Sequence, residues 1–550
     1  RLASTEEELV NDLECIAQCQ RTETAPFKPT ERARNLAYEY SFDKNQELKS
    51  PGTGKYVSVL YQEDMKPKLL DIDTQRGVLT LQSKEEPASM VTLIPNNIVG
   101  PKPIPESIEA VVEGFEDTLV KDQDASPENA ITDFLLRRVP RIKGHHQGPI
   151  IKGEGDRLVQ VTDAVLNLDH SYLCIQGPPG TGKTFTGKLV IAELVKRGLR
   201  VGICSNSHKA INNLLLGVAE TCKEKGIAAQ CYCTSDTGPE IGKAGIGVVS
   251  NNQISALIQP ACVIGTTAWG FSRDDVAGQF DYLFVDEAGQ VALANLVGIS
   301  RAAQNLVIMG DQMQLGQPIQ GSHPGDSGQS VLEYLLQDHA TIPDDLGIFL
   351  GTTYRMHPEI NRFISQAIYE GRLNSDPDNE KRIIAVPDQY AGELDKEAGI
   401  VFVGVEHEGN VQASKEEAEK VKELADELLG RTFTDKDGAT REIGWDDILF
   451  VAPYNYQVNT LQNALGKQAK VGSVDRFQGQ EAPVVILSLA ASDATESPRG
   501  LRFLLDKNRL NVAISRAQSL AIVVANPSLI QNFHGSIDDM VLANLFARLL

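Results

Sequence analysis

From about residue 148 onward, the chain is built of short, near-continuous apolar runs separated by longer stretches with helical patterning. The runs fall at 172–176, 200–205, 261–265, 282–286 and 305–310. Such runs suit parallel strands buried on both faces. After "DDLGIFLGTTYRMHPEI" the same rhythm restarts. Strands are expected at 400–404, 448–452, 484–489 and 520–525, and helices near 414–430, 455–468 and after 527. Residues 374–397 are polar and read as loop. Residues 1–145 are patterned differently. The β-rich pieces "KYVSVLYQ" (55–62), "KLLDID" (68–73), "GVLTLQS" (77–83) and "MVTLIP" (90–95) lie close together between turn residues. That spacing reads as a small antiparallel barrel, followed by a helical piece at 107–123. The predicted organisation is an accessory region over 1–147, a first α/β domain over 148–345 and a second over 346–550.

Composition adds bounds. A chain of 550 residues exceeds what one core usually supports, so two to four domains are expected. No run of about 18 uncharged apolar residues occurs, so no membrane span is expected. The net charge of −22 counts against a protein that coats nucleic acid, but leaves a local basic channel open. Eight cysteines, at 15, 19, 174, 204, 222, 231, 233 and 262, form no CxxC pair and no zinc-finger spacing. Reduced thiols in a cytoplasmic protein are expected. The chain begins at Arg1, without a methionine or a signal-peptide pattern, and is expected to be a fragment.

The chemistry starts at Gly177-Pro178-Pro179-Gly180-Thr181-Gly182-Lys183-Thr184, which fits GxxxxGK[ST] between a strand and a helix. Backbone N–H groups of such a loop cradle phosphate oxygens, and the helix N-terminus reinforces them. Lys183 is expected on the β- and γ-phosphates of ATP and Thr184 on Mg²⁺. In "YLFVDEAGQ" (282–290), a buried strand delivers Asp286 and Glu287 beside that loop. Asp286 is expected to hold Mg²⁺ and Glu287 to polarise the attacking water. Gln314, in "LVIMGDQMQL", is placed to touch the γ-phosphate. The second unit supplies Arg355 in "TYRMHPEI" and Arg516 in "RLNVAISRAQ", cations suited to the charge that develops in phosphoryl transfer. Between them, "VGSVDRFQGQEAPVVILSLA" carries Asp475, Gln478, Gly479 and Glu481 ahead of a buried strand. A two-lobed motor with ATP between its lobes is the expected result. A small-molecule kinase would have no use for the second unit's arginines.

Taken together, "IQGPPGTGKT", "SNSHKAINNLL", "IGTTAW", "VDEAGQ", "GDQMQLG", "YRMHP", "SVDRFQGQE" and "RLNVAISRA" resemble the conserved blocks of the superfamily 1B helicases. The likeness is to the branch of the nonsense-mediated-decay helicases and the replication nuclease-helicases, and it covers roughly 170 to 526. It implies two tandem RecA-like P-loop domains behind a small β-barrel. It further implies that Tyr354 stacks on adenine, that Glu481 binds the ribose, and that Arg355 and Arg516 are arginine fingers. Ser205, Asn206, Thr266 and Thr267 would contact nucleic-acid phosphates, and Asp475 falls in a nucleic-acid-contacting block.

The family's adenine-reading glutamine slot is Val161 here, with Gln160 one residue early. The third block runs "QLGQP", which displaces its usual proline. Bacterial fusions of a RecB-like nuclease with such a helicase look closest. No carboxylate–ExK constellation occurs in 1–150, "PDNEK" (377–381) lies inside the second unit, and a nuclease is expected upstream of Arg1. The resemblance implies a bacterial-type, nucleoid-associated enzyme that moves 5′ to 3′ on single-stranded nucleic acid, DNA favoured over RNA. The alternative is an RNA helicase, or an ATP-dependent remodeller without strong unwinding.

Overall fold

A computed structural model describes residues 9–10, 12, 14–44, 46, 48, 53–62, 64–96, 100–121, 128–317, 323–477, 479–493, 503–530 and 537–549. Two parallel sheets dominate it. In the first, β7 (Tyr172–Gln176), β8 (Val201–Cys204), β9 (Gln230–Cys233), β10 (Gly247–Val248), β11 (Cys262–Gly265), β12 (Phe280–Val285), β13 (Ala303–Gly310) and β14 (Gly347–Phe349) run in the order β10-β9-β11-β8-β12-β13-β7-β14. Every pairing is parallel. The central strands are apolar on both faces because helices cover both: "YLCIQ" in β7 is buried at all five positions.

The sequence places the division of the two units at 346, yet β14 pairs with β7 and belongs to the first sheet. Three residues, Gly-Ile-Phe, are too short for their apolar pattern to signal an edge strand. The short strand β9 and the edge strand β10 beside it escaped the pattern for the same reason.

Two-residue strands β15 (Thr352–Thr353), β16 (Asn374–Ser375) and β17 (Ile383–Ile384) follow. The last two interrupt the stretch 374–397 that the sequence reads as loop. β16 pairs with β15, and β17 with β19 (Thr432–Thr434), which forms a hairpin with β20 (Thr440–Glu442). Backbone pairing to distant partners, not local apolar periodicity, fixes these pieces. The second sheet comprises β18 (Gly399–Gly404), β21 (Ile448–Ala452), β22 (Lys470–Ser473), β23 (Ala482–Ser488) and β24 (Ala517–Ala525), in the order β18-β24-β23-β21-β22. All its pairings are parallel.

The N-terminal region is an antiparallel six-stranded sheet: β1 (Ile16–Arg21), β2 (Leu36–Ser41), β3 (Val57–Val59), β4 (Lys68–Asp73), β5 (Val78–Ser83) and β6 (Met90–Pro95), ordered β3-β6-β1-β2-β5-β4. A bridge between Tyr56 and Lys68 joins its two edges, and Val57 N–H donates to Pro67 O at 2.9 Å. Closure removes free edges from a small sheet. The helix Ile104–Lys121 then docks on the first lobe, where Ser107 Oγ donates to Gly298 O at 2.6 Å.

The two lobes share apolar packing. One continuous cluster runs from Leu306 and Ile308 through Phe349, Met356 and Tyr369 to Val485 and Val523. Each fully buried side chain of this kind contributes about 1.5–3 kcal/mol over its exposed state. That continuity holds the C-terminal ends of both sheets against one cleft.

Candidate nucleotide site between the lobes

The loop after β7 turns into the helix Lys183–Lys196 with two glycines at positive φ, Gly180 (+75°) and Gly182 (+77°). A Cβ at Gly180 would stand 2.5 Å from Arg355 Cβ and 2.6 Å from Thr353 Oγ1. Glycine is required there twice over, by backbone sign and by space. The same contact ties the loop to the second lobe's first segment. Tyr354 N–H donates to Gly180 O at 2.8 Å, and Thr353 Oγ1 to Pro179 O at 3.0 Å.

Loop and segment enclose a cleft of about 520 Å³, lined by residues 177–185, Glu287, Gln314, Tyr354, Arg355, Arg382, Lys436, Gly479, Glu481 and Arg516. Every residue that the sequence assigns to ATP is therefore on one cleft, except Asp286, which lies buried beside it. Gln478 lies outside the described residues.

At the phosphate end, Lys183 Nζ donates to Glu287 Oε2 at 3.2 Å. Burial pulls the ammonium's pKa down, but Glu287, Asp286 and Asp311 outweigh it and leave the pKa above its ordinary value. Lys183 is a cation waiting among carboxylates. Burial, and then the Glu287 charge, push Asp286 up to about 6, with Lys183 opposing them. Glu287 itself sits in the left-handed region, at φ 52° and ψ 43°. A bulky residue there is strained, and such strain clusters at functional sites. Thr184 is exposed at the helix start. One hydroxyl and one carboxylate suit Mg²⁺, which keeps waters and takes phosphate oxygens for its remaining positions.

Opposite stand the two arginines. Arg355 is held by Glu481 (Nε to Oε2, 2.5 Å) and by the Ser515 carbonyl (Nη1, 3.2 Å). Burial raises the Glu481 pKa, but Arg355 and Gln518 hold it below the usual carboxylate range. Arg516 is 3% exposed. Its Nη1 donates to Gln480 O at 3.3 Å, while Nε and Nη2 find no acceptor among the described residues. Burial, and then Arg355, lower its pKa to about 9, which still leaves a cation at neutral pH. A buried guanidinium with free N–H groups is costly unless an anion completes it. Gln314 Nε2 meanwhile donates to Asp311 Oδ2 at 2.9 Å.

The residues assigned to nucleic acid lie at strand ends on the same edge of the sheets. Ser205 is buried after β8, and Asn206 is exposed, its amide on Gln290 O. Thr266, after the neighbouring β11, is buried, its hydroxyl bonded to Thr234 Oγ1 and Asn251 Oδ1, both at 2.9 Å. Thr267 is half-buried. Asp475 is exposed, 3.7 Å from Arg509. Of the aromatics, Tyr454 and Phe477 are core residues, and Tyr456 reaches Asp43 of the barrel at 3.4 Å.

Gln160 lines no part of the cleft. Its Oε1 accepts from Lys152 N at 2.6 Å and its Nε2 donates to Glu154 O at 2.7 Å. Sequence reading missed Phe185, Arg382 and Lys436 in the lining. Lys436 lies in "DKDG", a polar turn whose pattern carries no nucleotide signal.

Two family models, each described as an AAA domain, match residues 159–329 and 327–528. The chicken (Gallus gallus) protein named DNA replication ATP-dependent helicase/nuclease DNA2 is 27% identical over 74% of this chain and 40% of its own length. A Drosophila melanogaster regulator of nonsense transcripts 1 homolog is 26% identical over 66% of this chain and 34% of its own. The chain thus spans well under half the length of these relatives. A solved arterivirus nonstructural protein 10 (helicase) aligns with a TM-score of 0.37 at 14% identity, covering 90% of this chain and 78% of that one.

Proposed function

The chain belongs to the superfamily 1 helicases, in the branch of the replication helicase/nucleases and the nonsense-transcript regulators, and from that premise we propose that it is an ATP-driven translocase and helicase acting 5′ to 3′ on single-stranded DNA. The observation that carries the proposal is Arg516. A buried cation whose Nε and Nη2 find no acceptor among the described residues, on the same cleft as Lys183 and Glu287, is explained by a γ-phosphate that belongs among them.

ATP would enter with its phosphates in the loop 177–184, where Lys183 trades the Glu287 carboxylate for phosphate oxygens. Thr184 and Asp286 would hold Mg²⁺, which supplies charge neutralisation when bound. Glu287 would orient the attacking water and take its proton. Arg355 and Arg516 would stabilise charge on the γ-phosphoryl group, and Gln314 would sense its presence. Tyr354 would stack on the base, and Glu481 would meet the ribose. Binding pulls the lobes together and hydrolysis releases them, so hydroxyls and backbone amides of the segments at Ser205–Asn206 and Thr266–Thr267 in one lobe, and backbone amides of the segment at Asp475 in the other, would grip phosphates alternately along the strand. On this proposal the protein would work in a bacterial-type cytoplasm, on the nucleoid.

Steady-state ATPase without nucleic acid, with single-stranded DNA and with matched RNA tests this, alongside Lys183→Ala. Stronger stimulation by DNA, followed by unwinding of a 5′-tailed duplex, is the expected result. Equal or RNA-led stimulation would move the assignment to RNA. Stimulation without strand separation would make it a remodeller. Lys183-dependent hydrolysis that neither polymer stimulates would end the motor reading.

A further inference from the structure

Past Tyr354 the cleft continues to a wall formed by two cations that the hydrolytic chemistry does not use. Arg382 is buried. Its Nε donates to Asn379 Oδ1 at 3.1 Å and its Nη2 to Tyr354 O at 3.2 Å, which fixes the guanidinium against the backbone of the stacking residue. Lys436 is exposed at the turn of the β19–β20 hairpin and lines the same cleft. The turn is held by Asp435 Oδ1, which accepts from Asp437 N and Ala439 N, both at 2.9 Å. Among the described residues, neither Arg382 nor Lys436 makes an ion pair, while their neighbours do: Lys381 with Asp378, and Arg355 with Glu481. Arg382 keeps only Nη1 uncommitted, so the exposed Lys436 is the cation best placed to meet a ligand here.

Arg382 is bonded to the backbone of Tyr354, the residue assigned to the base, so this part of the cleft is assigned to the base of a nucleotide whose phosphates fill the loop. Two exposed rings flank the cleft, Tyr354 (52% exposed) and Phe185 (57%). Stacking is indifferent to base identity, since every base has a π-face. Edge recognition is not indifferent. Arg382 and Lys436 bring donors to this wall, and the carboxylates that bear on Arg382 are Glu481, whose two oxygens are taken by Arg355 and Gln518, and Asp435 and Asp437 of the hairpin. The amide that could have supplied an acceptor, Gln160, has both ends spent on residues 152 and 154. Adenine presents one acceptor on this edge, N7, beside an exocyclic amine, a donor, at position 6. A 6-oxopurine presents O6 and N7, two adjacent acceptors, which is the pattern that lysine and arginine side chains bind.

We propose that the site is not adenine-selective and takes 6-oxopurine nucleoside triphosphates at least as well as ATP, with Lys436 as the specificity-determining contact. This rests on the cleft being a nucleoside-triphosphate hydrolysis site.

The test is kcat/KM for ATP, GTP and ITP in the presence of single-stranded DNA, for the unaltered chain, Lys436→Ala and Lys183→Ala. GTP and ITP are expected to match or exceed ATP. Lys436→Ala should lower kcat/KM for GTP and ITP roughly tenfold, mainly through KM, and that for ATP by clearly less. Lys436 is an exposed turn residue, so loss of folding will not mimic this pattern. A preference for ATP over both 6-oxopurines of more than about tenfold, with hydrolysis still dependent on Lys183, overturns the inference and leaves the hydrolase reading intact. An equal loss for all three nucleotides in Lys436→Ala also overturns it. Failure to hydrolyse any of the three would instead remove the hydrolase reading on which the inference stands.

Discussion

The Tyr369 hydroxyl donates to Asp311 Oδ2 at 2.6 Å and accepts from Asn511 Nδ2 at 2.8 Å, so one buried phenol joins the two lobes. Asp311 follows β13 and also accepts from Gln314, which lines the nucleotide cleft. Asn511 lies in the helix Lys507–Ile514, which leads directly to Arg516. Burial, and then the Asp311 charge, raise the Tyr369 pKa well above its ordinary value, so the phenol stays a donor.

Tyr369→Phe strips Asp311 of that donor inside the protein. Leaving a buried charged acceptor short costs about 1–3 kcal/mol, so a lowered Tm is expected. If the contact also transmits the nucleotide state, the ratio of nucleic-acid-stimulated to basal ATPase falls with it. Melting curves and that ratio separate the two effects. A lowered Tm with an unchanged ratio would make the contact structural only.

Arg516→Met tests the opposite balance. It removes a buried cation whose Nε and Nη2 find no acceptor among the described residues, so Tm without nucleotide should hold or rise. Turnover should fall about 10³-fold or more, as when an arginine finger is lost. A large drop in nucleotide-free Tm would show that the guanidinium is satisfied by other means.

Glu287→Gln and Lys183→Ala should part company. The first keeps the site's shape and loses the base, so kcat falls about 10²–10⁴-fold with KM little changed. The second removes the cation that Asp286, Glu287 and Asp311 surround. Nucleotide binding should fail, and the nucleotide-free protein should melt earlier because that acidic cluster loses its counter-charge. Nucleotide titration followed by fluorescence, with parallel melts, distinguishes them.

His357 gives a pH dependence. Its Nδ1 accepts from Glu359 N at 3.2 Å and so caps the helix Pro358–Ile368, a role open only to the neutral ring. Burial lowers its pKa below the ordinary 6.5, with Glu359 opposing. A base with a depressed folded-state pKa contributes stability above its unfolded pKa and loses it as pH falls through the folded value. His357→Ala should therefore cost about 1 kcal/mol at pH 7.5, the usual worth of a cap. The difference from the unaltered chain should shrink below pH 6. Equal penalties at both pH values would mean that the ring stabilises by packing.

The sequence alone determined that the chain holds two α/β units behind a β-rich region, and that Lys183, Thr184, Asp286 and Glu287 serve one loop. Both are local facts. A strand buried on both faces must be apolar throughout, and a phosphate loop needs its glycines, lysine and threonine within eight consecutive positions. The family likeness then named Arg355, Arg516, Tyr354 and Glu481 as partners of that loop.

Only the tertiary structure decided what depends on side chains far apart in the chain. Arg355 meets Glu481 across 126 residues, and Tyr369 meets Asp311 across 58. Gln160 is spent on its own loop, and the hairpin that carries Lys436 lines the same cleft as the loop 177–184. No periodicity encodes such meetings, because the order of strands in a sheet and the docking of one lobe on another are set by burial summed over the whole chain. A polar turn such as "DKDG" satisfies the same local rules whether it faces water or a nucleotide.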